Sequence, residues 1–459
     1  MELTNSVILC IIYLYFGYWI YFIYKAFLSY PCKIIYVFGT VAPLLRIGDI
    51  MADNKKNNKN KKKWIRPRHT VVRHTLGIFF RAYSRVKYGA RIHAFKEEKK
   101  RQYLVLFNHQ TAFDQFFVAL SFRKHLYFLA SEDIFSKGFL SSALRYLVAP
   151  IPIKKQTTDV RAIMNCMRVA KEGGSISLAP EGNRTYSGKT EYMSPTIAPL
   201  ARKLGLPIAL YHIKGGYGVQ PRWADDVRRG RMDCFVSKVI EPSEYMSLTD
   251  DELYNLIKEG LYVNEANGDN VYKSRKRAEH LERVLYYCPE CGFTTFETRG
   301  DVLECQKCHL KVRYLPTTSF EGITKAIPYS FVNDWYEAQN DYINSVDVTA
   351  LTEEAVWTDN ASFSEVIPYK KKRPISDNAS VKLYGDRITV NGDGVSEVFA
   401  FSDCSAVTVL GRNKVNIYCA DKIYQLKGGK NMNAVKFVHF FNRYKNIVKG
   451  NSDSTFLGL

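Results

Sequence analysis

Between positions 74 and 258 the sequence alternates short apolar runs with segments of helical periodicity, and that alternation constrains the region to an α/β domain, a sheet with flanking helices. The spacing predicts strands over 103–107, 126–130, 151–153, 175–179, 207–213 and 232–240. Helices are expected over 113–122, from a Thr158 cap to Glu172, where Gly173 and Gly174 would stop it, and after Thr249. Two of these strands run into polar clusters. One is Asn108-His109-Gln110-Thr111-Ala112-Phe113-Asp114; the other is Pro180-Glu181-Gly182-Asn183-Arg184-Thr185. Among nine histidines, a single His with an Asp five positions on arises easily by chance. Two polar clusters that both lie at strand ends, where α/β folds place their sites, form a stronger pattern.

On a continuous helix, residues five apart lie about 140° apart around the axis, so His109 and Asp114 could not pair there. They can pair if His109 closes the strand, residues 110–112 turn, and Asp114 opens the next helix. Asp114 would then hold one imidazole nitrogen and leave the other to take a proton from a substrate hydroxyl. No Ser or Cys stands in a nucleophile motif beside this pair, and Gly-x-Ser-x-Gly is absent, so direct attack by a bound hydroxyl is expected in place of an acyl-enzyme. In the second cluster, Arg184 offers a planar fork for two phosphate oxygens, and Gly182 lets the backbone approach a ligand. Glu181 is expected to orient Arg184 or a substrate hydroxyl. Lys154 and Lys155, just after the 151–153 strand, could add positive charge to the same edge.

Asn-His-x4-Asp followed by Pro-Glu-Gly-x-Arg, with Ile-Pro-Ile-Lys between them and Gly-Leu-Pro-Ile-Ala after (205–209), resembles the glycerophospholipid acyltransferases of the lysophosphatidate acyltransferase type. The resemblance covers roughly 75–245. It implies acyl transfer from a CoA or acyl-carrier-protein thioester to a lysophospholipid hydroxyl, most simply that of 1-acylglycerol 3-phosphate. It implies His109 as base and Asp114 as its partner. It also implies an acceptor-phosphate site of Glu181, Gly182 and Arg184; beside these, Asn108, Lys154 and Lys155 are expected as further substrate contacts from their positions. Asn183 stands where the family usually has Thr or Ser, and Lys154 and Lys155 where it commonly carries Arg.

Residues 7–24 form an uncharged run rich in Tyr and Trp, at the lower limit for spanning a hydrocarbon core. Glu2 and the lack of a basic leader or small-residue cleavage site favour a retained anchor over a cleaved signal. A shorter run, 34–45, could dip into the interface. Next comes a basic block with Lys55, Lys56, Lys59, Lys61, Lys62, Lys63, Arg66 and Arg68, which favours the cytoplasmic side and attraction to anionic lipids. The formal charge of +20 requires an anionic partner; beside an apolar anchor, nucleic acid is the less economical one.

Cys288 and Cys291, with Cys305 and Cys308, form two Cys-x2-Cys knuckles separated by a thirteen-residue loop, a pattern that predicts four thiolates around one structural zinc. Residues 273–283 are charged and helical in pattern. Past Pro316, short apolar runs at 381–384, 387–390, 395–401, 407–410, 415–418 and 422–426 predict a β-rich module. With a terminal helix over 433–447, that module resembles a pleckstrin-homology-like domain in pattern. The expected organisation is a membrane anchor (1–50), basic linker (51–73), acyltransferase domain (74–283), zinc ribbon (284–316), β-rich domain (317–449) and tail (450–459). The competing reading is a membrane-tethered binding protein whose zinc ribbon and basic block recognise nucleic acid or protein; a third is an acyltransferase for another lysolipid.

Overall fold

The computed structural model describes residues 63–98, 100–131, 134–135, 139–153, 159–367, 372–450, 454 and 456–458. The apolar runs at 7–24 and 34–45, the basic block up to Lys62, Thr158, and the pair Lys154 and Lys155 lie outside the described residues. Among the described residues no helix is long and apolar enough to cross a membrane.

The first sheet has seven strands: β1 (Ala90–Ile92), β2 (Leu104–Phe107), β3 (Leu126–Ser131), β4 (Ile151–Ile153), β5 (Ser175–Leu178), β6 (Ile208–Lys214) and β7 (Met232–Ile240). Their order is β1-β7-β6-β2-β5-β3-β4. Strands β2 to β6 run parallel where they pair, and β7 is antiparallel to β6. Six of the seven match the predicted strands to within one residue; β1 was not expected. The central strand β2 is buried along its length. Leu104 and Leu106 face a core with Ile176, Ile208 and Leu210, while Val105 and Phe107 face Phe117, Val118 and Tyr211 on the other side. Such near-continuous apolar strands are what a sheet covered on both faces requires. Because β2 pairs with β5, Leu106 lies beside Leu178, and the two polar clusters leave the sheet side by side at the same end.

The helix Asp114–Ser121 begins at the Asp of the first cluster, as the pairing argument demands. The helix Val160–Lys171 is capped by Asp159, whose carboxylate accepts from the Ala162 N–H at 3.0 Å. Thr249 caps Asp250–Leu261 through a reciprocal box with Glu252. A 22-residue helix, Pro67–Tyr88, extends the domain into the expected linker; Pro67 starts it and Gly89, at φ 62°, ends it. Residues 273–283 are a correction. They form extended chain and turns, with a single 3-10 turn at Leu281–Arg283. Lys273 pairs with Arg229 in a β-bridge, and Arg277 reaches Asp301 at 2.6 Å and the Tyr314 carbonyl at 3.0 Å. These tertiary bonds override a weak helical preference.

The cysteine segment forms short antiparallel strands: β8 (Tyr287–Cys288), β9 (Gly292–Phe293), β10 (Phe296–Arg299), β11 (Val302–Cys305), β12 (Lys311–Tyr314) and β13 (Phe320–Gly322). After the helix Val332–Ser345, which the pattern did not predict, come β14 (Trp357–Glu365), β15 (Arg373–Leu383), β16 (Arg387–Gly392), β17 (Val395–Ala400), β18 (Cys404–Leu410), β19 (Lys414–Cys419) and β20 (Lys422–Gly428). They form an antiparallel sheet in the order β17-β16-β15-β14-β20-β19-β18, followed by the helix Val435–Val448. A single hydrophobic core takes in the cysteine segment, both helices and this sheet. It also takes in Tyr186, Trp223 and Ala224 from the loops of the first domain.

Leu106→Ala, at a fully buried position beneath the first cluster, should lower unfolding stability by about 2–5 kcal/mol. Denaturant titration followed by circular dichroism checks this.

Candidate active site

At the end of β2 the chain turns through Gln110, Thr111 and Ala112, so that Asp114 comes back beneath His109. Asp114 is fully buried and gathers donors. One oxygen, Oδ2, lies 2.8 Å from His109 Nδ1 and 2.6 Å from the Gln110 N–H. The other, Oδ1, accepts from the Thr111 hydroxyl at 2.6 Å and the Thr111 N–H at 2.9 Å. A carboxylate whose remaining neighbours are all donors assigns the imidazole proton to Nδ1, which leaves proton-accepting chemistry to Nε2. The His109 side chain is 24% exposed, enough for a substrate hydroxyl to reach it.

Glu181 ties the two clusters together. Its Oε1 accepts from the His109 N–H at 2.9 Å and its Oε2 from the Glu191 N–H at 3.0 Å. The Thr185 N–H returns to the His109 carbonyl at 3.1 Å. Burial pushes the Glu181 carboxyl up to about 8, against the downward pull of those two N–H donors. Both of its oxygens accept from backbone, so it positions the loops, and among the described residues no hydrogen bond joins it to Arg184. Glu191 does the same one layer out, accepting from the Thr185 and Ser187 hydroxyls at 3.0 Å each.

Gly182 is exposed and has φ +66°, and an added Cβ would meet nothing within 4 Å. Glycine serves the left-handed turn there, with open space outside it. Arg184 follows, half-buried, with Nη1 buried and without a hydrogen-bond partner among the described residues. Burial first, then the neighbouring charges of Arg222 and Arg412, bring its guanidinium down to about 10. An unpaired, partly desolvated guanidinium at the site edge suits an anionic ligand. Asn108 is a correction to the expected substrate contacts: it is fully buried, and its amide exchanges hydrogen bonds with the Ile213 backbone at 2.9 and 2.8 Å, locking β2 to β6.

Several residues of the site carried no flag in the sequence. Thr111 could have been found from its position three before Asp114, the spacing of a local side-chain turn. Gln220, which accepts from the Ala112 N–H at 3.2 Å, and Arg222, which donates to the Arg184 carbonyl at 2.8 Å, come from a distant loop with no local signal.

In the cysteine segment the four Sγ atoms of Cys288, Cys291, Cys305 and Cys308 lie within 4.8 Å of one another. Cys288 and Cys308 are 3.6 Å apart and Cys291 and Cys305 3.5 Å. Four thiolates at about 2.3 Å around one tetrahedral zinc would stand about 3.8 Å apart, so the donor set fits that ion.

Residues 89–211, which hold both clusters, match the family described as Acyltransferase. The chain is 25% identical over 157 residues to the chloroplastic 1-acyl-sn-glycerol-3-phosphate acyltransferase BAT2 of Brassica napus, covering 34% of this chain and 45% of the relative. It is 24% identical over 140 residues to the chloroplastic 1-acyl-sn-glycerol-3-phosphate acyltransferase LPAT1 of Arabidopsis thaliana, covering 30% and 39%. The chain therefore spans less than half the length of these curated relatives. The crystal structure of the 1-acyl-sn-glycerophosphate acyltransferase PlsC from Thermotoga maritima overlaps 50% of this chain and 90% of its own, at 20% identity and a TM-score of 0.36. The region that carries both polar clusters, residues 89–211, is thus the part of the chain that matches the acyltransferase family.

Proposed function

We propose that the chain transfers an acyl group from a CoA or acyl-carrier-protein thioester to the free hydroxyl of a lysophospholipid, with 1-acylglycerol 3-phosphate as the best-fitting acceptor. The observation that carries this reading is the His109–Asp114 pair, 2.8 Å apart at the strand end, with Asp114 buried and fully supplied with donors. As the acceptor hydroxyl attacks the thioester carbonyl, His109 Nε2 takes its proton. Collapse of the tetrahedral adduct then breaks the C–S bond, and the proton on His109 passes to the departing thiolate. Asp114 keeps the ring oriented and favours its transient positive charge. Arg184, near the same edge, holds the acceptor phosphate.

The reading places the chain at the cytoplasmic face of a membrane, in contact with anionic lipids. Support comes from the apolar run at 7–24 and the basic block in the sequence, and from the helix Pro67–Tyr88, which exposes Val71, Ile78, Phe79 and Val86 along one stripe. For the cysteine cluster we propose one structural zinc bound by all four thiolates. With every coordination position filled by protein, it would tie the two knuckles together and take no part in acyl transfer. The β-rich sheet with its closing helix, in a pleckstrin-homology-like pattern, serves in this reading as an accessory module.

His109→Ala should abolish transfer with thermal stability unchanged. Asp114→Asn should cut turnover by about 10²- to 10⁴-fold. Both are checked by thioester-dependent acylation of a lysolipid panel, and retained turnover in His109→Ala would reject the assignment. Purified protein should carry one zinc per chain by elemental analysis, and a strong chelator should release it and unfold the cysteine segment; a metal-free chain with unaltered near-ultraviolet circular dichroism overturns the zinc assignment.

A further inference from the structure

The tip of a hairpin in the C-terminal sheet reaches the second polar cluster. Strands β18 and β19 join at Gly411, which has φ +66°. Arg222, almost fully buried, lies between this tip and the acyltransferase loops. Its Nε donates to the Gly411 carbonyl at 3.1 Å, its Nη2 to the Val409 carbonyl at 3.4 Å, and its Nη1 to the Arg184 carbonyl at 2.8 Å. The guanidinium carbon also lies 4.1 Å from the centroid of the Tyr186 ring. One side chain thus fixes the hairpin tip to the residue assigned to the acceptor phosphate.

Arg412, the next residue of the tip, meets Asp225 at 3.1 Å. That carboxylate is shared: Arg283 reaches it at 2.8 Å and His280 Nε2 at 3.1 Å. Arg412 Nε, like Arg184 Nη1, is buried with no hydrogen-bond partner among the described residues. Both arginines also lie within electrostatic reach of Tyr88. The Tyr88 hydroxyl donates to Gln220 at 3.4 Å, and Gln220 in turn holds the Ala112 N–H of the turn that carries His109. Simple docking of one domain on another would place each buried cation against its own carboxylate, since an uncompensated one is costly. Here Arg184 lies within electrostatic reach of Arg222, Arg412 and the Asp114 that anchors the catalytic turn, and Arg184 and Arg412 each keep an unused buried N–H among the described residues.

We propose that the C-terminal β-rich domain completes the acceptor site: Arg412 joins Arg184 in gripping the phosphate monoester of the acceptor, and Arg222 is the strut that holds the two in register. This rests on the acyl-transfer reading above. A bidentate guanidinium on each side of a phosphate supplies the charge-assisted bonds that the two orphaned N–H groups lack, and it makes the acceptor's headgroup a ligand of both domains.

The test is steady-state kinetics of the full chain in mixed micelles, comparing Arg412→Gln and Arg412→Lys with the unaltered protein on 1-acylglycerol 3-phosphate and on a lysophosphatidylcholine. Arg412→Gln should raise KM for the phosphate-monoester acceptor by about tenfold to a hundredfold. KM for the thioester donor, whose phosphates are the other source of the same chemistry, and for the choline lipid should stay within about twofold. Arg412→Lys, which keeps the charge beside Asp225, should recover part of the loss and serves if the Gln variant folds poorly. An unchanged acceptor KM in a folded variant, or a rise confined to the donor, overturns the proposal. If the unaltered protein transfers no acyl group to any lysolipid, the reaction reading fails and equilibrium binding of 1-acylglycerol 3-phosphate decides: weakening by Arg412→Gln sustains the anion site, and unchanged binding overturns it.

Discussion

The pairing of β2 with β5 is the constraint on which the rest of the site depends. Seventy-two positions of sequence separate His109 from Glu181, and the pairing of their strands brings the two within hydrogen-bonding range. Once Leu106 lies beside Leu178, the Glu181 carboxylate has only to reach across to the His109 N–H for the two loops to become one surface. The interaction is strong for the reason that its surroundings are dry: a buried carboxylate left without those two backbone donors would be expensive, so the loops are held where the donors are. Asp114 repeats the device within the first loop, recruiting the backbone of Gln110 and Thr111 to aim an imidazole. Local backbone, and not side-chain packing, thereby sets the geometry of the base.

What could be read from the sequence divides along the same line. The parallel strands were legible because both faces of the sheet are covered, which forces continuous apolar runs such as Leu104 to Phe107. The His109–Asp114 turn was legible because helical geometry forbids the alternative. The backbone partners of Glu181 were not legible, because its carboxylate looks the same in a sequence whether it orients an arginine or a substrate hydroxyl or accepts from a distant N–H. Asn108 sits inside the motif and looks like a ligand contact, yet its partner is Ile213 on a strand that the sequence shows only as an apolar run. Residues 273–283 have helical spacing, but Arg277 and Lys273 are claimed by segments far along the chain. The helix Val332–Ser345 went unseen since its buried residues include Asn333 and Gln339, polar side chains that blur an apolar stripe. Gln339 is buried because it hydrogen-bonds the backbone of Val284 and Tyr286, a role visible only in three dimensions.

The C-terminal half was legible in kind and not in connection. Short alternating runs announce strands, and paired cysteines announce a common ligand, but neither discloses that one core runs from the cysteine segment through the second sheet to Trp223 and Tyr186. Aromatic residues make that continuity: Trp335 lies against Phe296 and Phe320, and Trp357 against Phe293 and Phe440. Large rings of this kind bridge elements distant in sequence and contribute packing that no local pattern signals.

That shared core has a consequence for how the protein is made. Synthesis proceeds from the N-terminus at about 5–20 residues per second, and the first sheet can close as soon as β7 has emerged. The loop bearing Arg184 cannot then be finished, because the carbonyls that receive Arg222 belong to Val409 and Gly411, and the rings that cover Tyr186 and Trp223 come later than the sheet they sit on. Until the β18–β19 hairpin has left the ribosome, the nascent domain carries an exposed aromatic surface beside an incomplete loop, so the site takes its final form only after that late hairpin has been made.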